Sequence, residues 1–175
     1  MITRVAGTGA AGDTGDGGPA TQAQLNSPVG IAALPGGGFL FTDQGNNVVR
    51  QVSRDGVITR VAGTGAAGDT GDGGPATRAD LNTPSGVAVL PGGGGFLVAD
   101  NGNNVVRQVS RDGAITRVAG TGAAGDTGDG GPATQAQLNG PGGVGVLPGG
   151  GLLFTDVFNN VVRKVEAHQD GPHSM

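Results

Sequence analysis

The sequence predicts an all-β fold built from three copies of one small antiparallel sheet, and three observations carry that reading. One block of sequence returns three times along the 175 residues. The 39 Gly and 10 Pro recur at fixed places between short runs of Val, Ile, Leu and Phe, so they punctuate strands and do not mark low complexity. The helix formers Lys, Glu and Met are scarce, with Lys164 and Glu166 the sole Lys and Glu and two Met in all.

The block ITRVAGTGAAGDTGDGGPAT begins at Ile2, Ile58 and Ile115, giving periods of 56 and 57 residues. The extra residue is one Gly in the Gly92–Gly95 run. Aligning Ile2–Val57 with Ile58–Ala114 gives 46 identities in 56 columns. Old repeats drift apart, so this marks recent duplication or deliberate construction of a symmetric array.

Each unit breaks into the same pieces. Gly30–Leu34 is a short β-prone run closed by Pro35 and a Gly cluster. Phe39–Asp43 is a second, ended by the turn formers Gln44-Gly45-Asn46-Asn47. Val48–Val52 is a third, followed by Ser53-Arg54-Asp55-Gly56, where Asp-Gly favours a tight hairpin. Ile58–Ala62 is the fourth. Four short strands joined by short turns make an antiparallel meander. Val48, Val49 and Val52 fit no single face, as expected of a sheet covered on both sides. A propeller blade, packed between two other blades, is such a sheet.

Gly7 to Pro28 connects one fourth strand to the next first strand. Its first half is too Gly-rich for a regular element. Pro19 to Leu25 predicts a turn or two of helix with Pro at its first position, and Leu25, Leu81 and Leu138 would anchor it onto the blade.

The phase of the repeat sets the architecture. The array opens on a fourth-strand sequence (Ile2, Thr3, Arg4, Val5, Ala6) and stops on a third-strand one (Val161, Val162, Arg163, Lys164, Val165). That leaves one orphan strand, two complete sets and one set lacking its fourth strand. Three blades are too few for a closed ring. Two chains would give six, with each orphan strand completing the other chain's last blade and removing two open edges. The expectation is a C2 homodimer with strand exchange, in which residues 2–165 form three blades and residues 166–175 a tail without regular structure. The competing reading is a piece excised from a longer array.

The string GDGGPATQAQLNSPVGIAALPGGGFLFTDQGNNVVRQVSRDGVITRVAG resembles the NHL-repeat propellers, in the long-repeat form of bacterial surface proteins and teneurins. The matching elements are GDGGPAT-x-A-x-L-N-x-P-x-G, a strand ending in Asp, G-N-N-x-x-R-x-V, and D-G-x-I-x-x-V-A-G. They cover residues 2 to about 165. The third copy departs from them, with Val157-Phe158 in place of Gln44-Gly45. The resemblance implies six blades, mostly binding or scaffolding roles with a minority of enzymes, and an extracellular or cell-surface origin.

Several motifs resemble chemistry. Gly7-Thr8-Gly9-Ala10-Ala11-Gly12 fits G-x-G-x-x-G, but the phosphate site needs a helix starting at that loop, and Asp13-Thr14-Gly15-Asp16-Gly17-Gly18 does not supply one. Asp13, Asp16, Asp69, Asp72, Asp126 and Asp129 sit among glycines as Ca²⁺ ligands often do. Ca²⁺ takes six to eight oxygens and no EF-hand series is present, so bonding to their own loop backbone is the preferred role. Asp43, Asp100 and Asp156 end second strands and are expected to bond turn amides. Arg50, Arg107 and Arg163 lie mid-strand and are expected to be structural ion-pair residues.

Catalytic groups are scarce. Cys, Tyr and Trp are absent, and the two His, His168 and His173, lie in the tail. General acid–base chemistry needs a positioned group of tuned pKa, and a perfectly repeated residue set signals scaffold. The net charge of −4 and the lack of stacking aromatics disfavour nucleic-acid or anionic-membrane partners. The start lacks a basic region and a long apolar stretch, so no signal peptide is visible and a soluble chain is expected. The expected function is a non-catalytic self-assembling scaffold or interaction module without a cofactor. The alternative is a Ca²⁺-stabilised extracellular ligand binder.

Overall fold

A computed structural model describes residues 1–167. Its strands are β1 (Pro28–Ala33), β2 (Phe39–Asp43), β3 (Val48–Val52) and β4 (Ile58–Ala62), then β5 (Pro84–Val89), β6 (Gly95–Asp100), β7 (Val105–Ser110) and β8 (Ile115–Ala119), and finally β9 (Pro141–Val146), β10 (Leu152–Asp156) and β11 (Val161–Val165). They form two four-stranded antiparallel meanders, β1-β2-β3-β4 and β5-β6-β7-β8, and one three-stranded sheet, β9-β10-β11. Of the predicted tail, 166–175, Glu166 and Ala167 are described, and 168–175, with His168 and His173, lies outside the described residues.

Burial on both faces explains the broken alternation. Val48, Val49 and Val52 of β3 are all buried, as are Val105, Val106 and Val109 of β7. Leu40, Val49 and Ala62 of the first sheet form one core with Val87, Phe96 and Val98 of the second. Leu97, Val106 and Ala119 of the second sheet form the next with Leu152 and Phe154 of the third. Each core is therefore a junction between neighbouring sheets.

The first strands approach one another most closely. A Cβ on Gly30 would stand 2.1 Å from the Ser85 carbonyl oxygen, and one on Gly86 would stand 2.4 Å from that of Gly142. Only glycine permits this approach of β1 to β5 and of β5 to β9.

Four sequence expectations differ in detail from the structure. The first strand begins at Pro28, because Pro28 pairs with Asp43 across an irregularity before Ile31. The connector helix is a single 3₁₀ turn, Ala20–Gln22, repeated at Ala76–Arg78 and Ala133–Gln135. Ile2–Ala6 carries fourth-strand sequence but is not a strand. A strand exists through backbone bonds to a neighbour, and among the described residues this segment has none. The Asp-Gly hairpin also closes as a three-residue loop, with Gly56 N–H donating to the Ser53 carbonyl at 2.9 Å and Gly56 at φ +81°.

Candidate assembly site

The connectors belong to the sheets that follow them, and arginines clasp them there. Gly17 N–H donates to the Ile58 carbonyl at 2.7 Å and Ile58 N–H to the Gly18 carbonyl at 3.0 Å, with Gly73, Gly74 and Ile115 repeating the pattern. Arg50 is fully buried. Its Nε and Nη2 donate to Asp16 Oδ1 at 3.2 and 3.0 Å, its Nη1 to Asp43 Oδ2 at 3.2 Å and the Gln24 carbonyl at 2.9 Å, and its Nη2 also to the Thr14 carbonyl at 2.8 Å. All five guanidinium N–H groups are thus used. Arg107 makes the same set with Asp72, Asp100, Asp80 and Thr70. Arg163 donates to Asp156, Asp129, Gln137 and Thr127.

A second arginine comes from the fourth strand. Arg60 spans Asp13 at 2.7 Å and Asp16 at 3.6 Å, and Arg117 spans Asp69 at 2.9 Å and Asp72 at 3.4 Å. In the third sheet the homologous carboxylates are Asp126 and Asp129, and the homologous arginine is Arg4, at the far end of the chain. The side chain of Asp129 is 86% exposed, against 33% for Asp16 and 35% for Asp72.

Asp43 accepts from Asn46 Nδ2 of its own turn at 2.8 Å, as expected, and also from Asn26 N–H at 2.7 Å, so it ties the connector's end to the strand as well. Asp100 and Asp156 repeat this. Burial pushes the Asp100 carboxyl up to about 6, against the downward pull of Asn82 N–H, Asn103 and Arg107. The G-x-G-x-x-G amides are used internally, Gly7 donating to Ala20, Thr8 to Ala23 and Gly12 to Leu25. Among the described residues no group of three or more His, Cys, Asp or Glu is arranged to hold a metal ion.

The Asn residues do more than turn the chain. Asn47 and Asn104 adopt φ of 55° and 56°, as the turn demands. Their Oδ1 atoms also accept from the next sheet, Asn47 from Thr83 N–H at 2.9 Å and Asn104 from Gly140 N–H at 3.0 Å. The sequence carried no signal for this second task beyond the recurrence of Asn at that turn.

The two ends of the array are open. A groove of about 630 Å³ runs along β11, floored by Ala136, Leu138 and Phe154 and walled by Gly130–Pro132 and Arg163–Glu166. In the complete sheets that place holds the fourth strand, with Ile58 and Ile115 fully buried. Ile2 is 97% and Val5 57% exposed, and Val161 and Val162 on β11 are exposed too. Thr3, Arg4 and Ala6 complete the first segment, and Lys164 and Val165 complete β11, which pairs with β10 on one side and carries no described strand on its other edge.

The NHL repeat family model matches residues 81–108, which span β5, β6 and the start of β7. Mouse teneurin-1 is 34% identical over 111 residues, covering 61% of this chain and 4% of that protein. The structure of an auxiliary nutrient binding protein from Bacteroides ovatus superposes with a TM-score of 0.65 at 20% identity, covering 83% of this chain and 38% of that one. A gluconolactonase from Xanthomonas campestris superposes at 0.53 with 18% identity, covering 76% and 36%. The chain therefore spans only a small part of its curated relatives and under half of these structures. At such identities the structures speak for the fold alone. The meanders, the glycine-tight first strands and the family match over residues 81–108 agree: the chain carries an NHL repeat, and its three antiparallel sheets have the form of blades of an NHL-type β-propeller fold.

Proposed function

We propose that this chain is a non-catalytic, self-assembling propeller scaffold, two copies of which close into one six-bladed ring by exchanging residues Ile2–Ala6. The observation that carries the reading is the contrast among three homologous isoleucines: Ile58 and Ile115 are fully buried and Ile2 is 97% exposed. The groove along β11 offers the burial that Ile2 lacks. Following the register of β3 with β4, Val162 would pair with Ala6, Arg163 with Arg4, Lys164 with Thr3 and Val165 with Ile2 of the other copy. Gly130 and Gly131 would then bond Ile2 as Gly17 and Gly18 bond Ile58. Burial of apolar surface and capture of unpaired strand edges both favour the closed ring.

The non-catalytic part rests on how the polar groups are used. The repeated arginines and carboxylates hold connectors to blades. Among the described residues no buried side-chain nitrogen or oxygen lacks a partner, as expected of polar groups used to hold the blades together. Light scattering coupled to size exclusion tests the assembly: the expected mass is twice the 16.8 kDa of the chain. A monomer at micromolar concentration, as when a further repeat of a longer array must fill the groove, would refute the proposal. So would a trimer of nine blades.

A further inference from the structure

We infer that a second copy is gripped not only along the exchanged strand but at a separate inner-strand seat, formed by Gly143, Thr155 and Asn160 on one copy and by the Ser27–Gly30 backbone on the other. The inference rests on the ring reading above, and it names the contacts that would set how the copies meet.

The argument runs from the two junctions inside the chain. Where the first blade meets the second, three contacts recur at fixed repeat positions. Asn47 Oδ1 accepts from Thr83 N–H at 2.9 Å, and Thr42 Oγ1 donates to the Ser85 carbonyl at 2.6 Å. Gly30 lies so close to that carbonyl that a Cβ would stand 2.1 Å from it. Where the second blade meets the third, Asn104 accepts from Gly140 N–H at 3.0 Å and a Cβ on Gly86 would stand 2.4 Å from the Gly142 carbonyl. Ala99 stands where the first blade has Thr42, and Ser85 Oγ supplies the bond instead, donating to the Gly142 carbonyl at 3.0 Å.

The third blade carries the same set with no described residue opposite it. Asn160 holds the left-handed turn at φ 59°. Thr155 Oγ1 accepts from Gly143 N–H at 2.8 Å, as Thr42 does from Gly30, so its proton is aimed the same way. A Cβ on Gly143 would meet only Thr155 Oγ1, at 3.7 Å. The matching groups stand free at the other end of the array. Ser27 shares with Thr83 a positive φ, 54° against 47°, and so presents its N–H in the same way. Val29, homologous to Ser85, is 58% exposed. The seat therefore takes a second copy of this chain: Asn160 Oδ1 accepts from its Ser27 N–H, Thr155 Oγ1 donates to its Val29 carbonyl, and Gly143 allows the approach.

Gly143→Ala separates this seat from the strand exchange. The added methyl is in ordinary contact within its own blade, so the variant folds as the wild type does, which matching circular dichroism spectra would check. Between copies it meets the Val29 carbonyl as a Cβ on Gly30 would meet Ser85. Sedimentation equilibrium is expected to show the dimer dissociation constant raised on the order of a hundredfold, since two overpacked seats close each ring. Thr155→Val, which keeps shape and removes the hydroxyl, is expected to raise it roughly tenfold. A wild-type dimer with both variants dimerising equally well would overturn the seat and leave the exchanged strand standing. A monomeric wild type would overturn both.

Discussion

Arg50 and Arg107 are buried charges, Arg50 with all five N–H donors bonded and Arg107 with four bonds and an ion pair to Asp72, and each holds a loop of its connector against its own blade. Lysine keeps the charge but not the planar fork, so Arg50→Lys leaves buried acceptors unpaired. The expected loss is about 3 kcal/mol in urea denaturation. Arg163→Lys, at a site 9% exposed and facing the open groove, should cost less in the monomer. Because arginines already engage Asp13, Asp16, Asp69 and Asp72, EDTA should leave the melting temperature unchanged; a drop of several degrees would make these loops a cation site. Asp100 adds a pH dependence. Its folded value near 6 lies above the 3.8 of the free carboxyl. The folded state thus holds this proton more tightly, so its stability contribution is full below pH 4 and is lost as pH rises through 6. Carboxyl carbon shifts followed by NMR between pH 3 and 8 measure that midpoint directly. Repetition alone marked these residues as structural in the sequence. It did not disclose that mid-strand Arg50 reaches Asp16, 34 positions away, because that contact depends on how the connector folds back.

At the scale of elements, legibility followed the turn formers. β2, β3 and β4 stand at the residues their flanking Gly, Asn and Asp predict, since those residues fix where a ladder must stop. The sequence predicts a turn or two of helix from Pro19 to Leu25, but Ala23 already has ψ 151° and ends the turn. Isolated bridges from Ala11 to Leu25 and from Thr14 to Gln24 compete for that stretch. The β propensity of Ile2–Ala6 was correct as chemistry and not realised as structure, because pairing requires a neighbour. The close approach of first strands was invisible in sequence, where Gly30 reads as one glycine among 39. Substitution exposes the difference. Gly30→Ala should cost about 3 kcal/mol by forcing apart β1 and β5. Gly145→Ala, in β9 with open space around it and Ala32 and Ala88 at the homologous positions, should cost almost nothing. Thermal unfolding of the two variants decides between a junction requirement and a general glycine preference.

For the molecule as a whole, the third sheet has three strands where the other two have four, and in the proposed ring a second copy supplies the fourth. Within one chain each complete blade recruits an arginine from its own fourth strand to a carboxylate pair. The last blade has the pair, Asp126 and Asp129, and its arginine sits on residue 4. In the ring, Arg4 of one copy would span Asp126 and Asp129 of the other as Arg60 spans Asp13 and Asp16. Asp129 already has Arg163 at 2.7 Å, which leaves Asp126 as the carboxylate that depends most on Arg4. The homologous pair is only partly buried, Arg60 at 25% and Asp13 at 31% side-chain exposure, so its strength is modest and salt-sensitive. Arg4→Glu places like charges together twice per ring and should weaken the dimer about tenfold at low salt. Asp126→Arg alone should weaken it similarly, by facing Arg4. Combining the two restores opposite charges and should recover most of the loss, while added salt narrows the differences among all four proteins. Dimer dissociation constants for that cycle, measured at two ionic strengths, give the coupling. Additive effects with no rescue would mean that Arg4 does not reach Asp126 across the ring, and that the exchanged strand sits in another register.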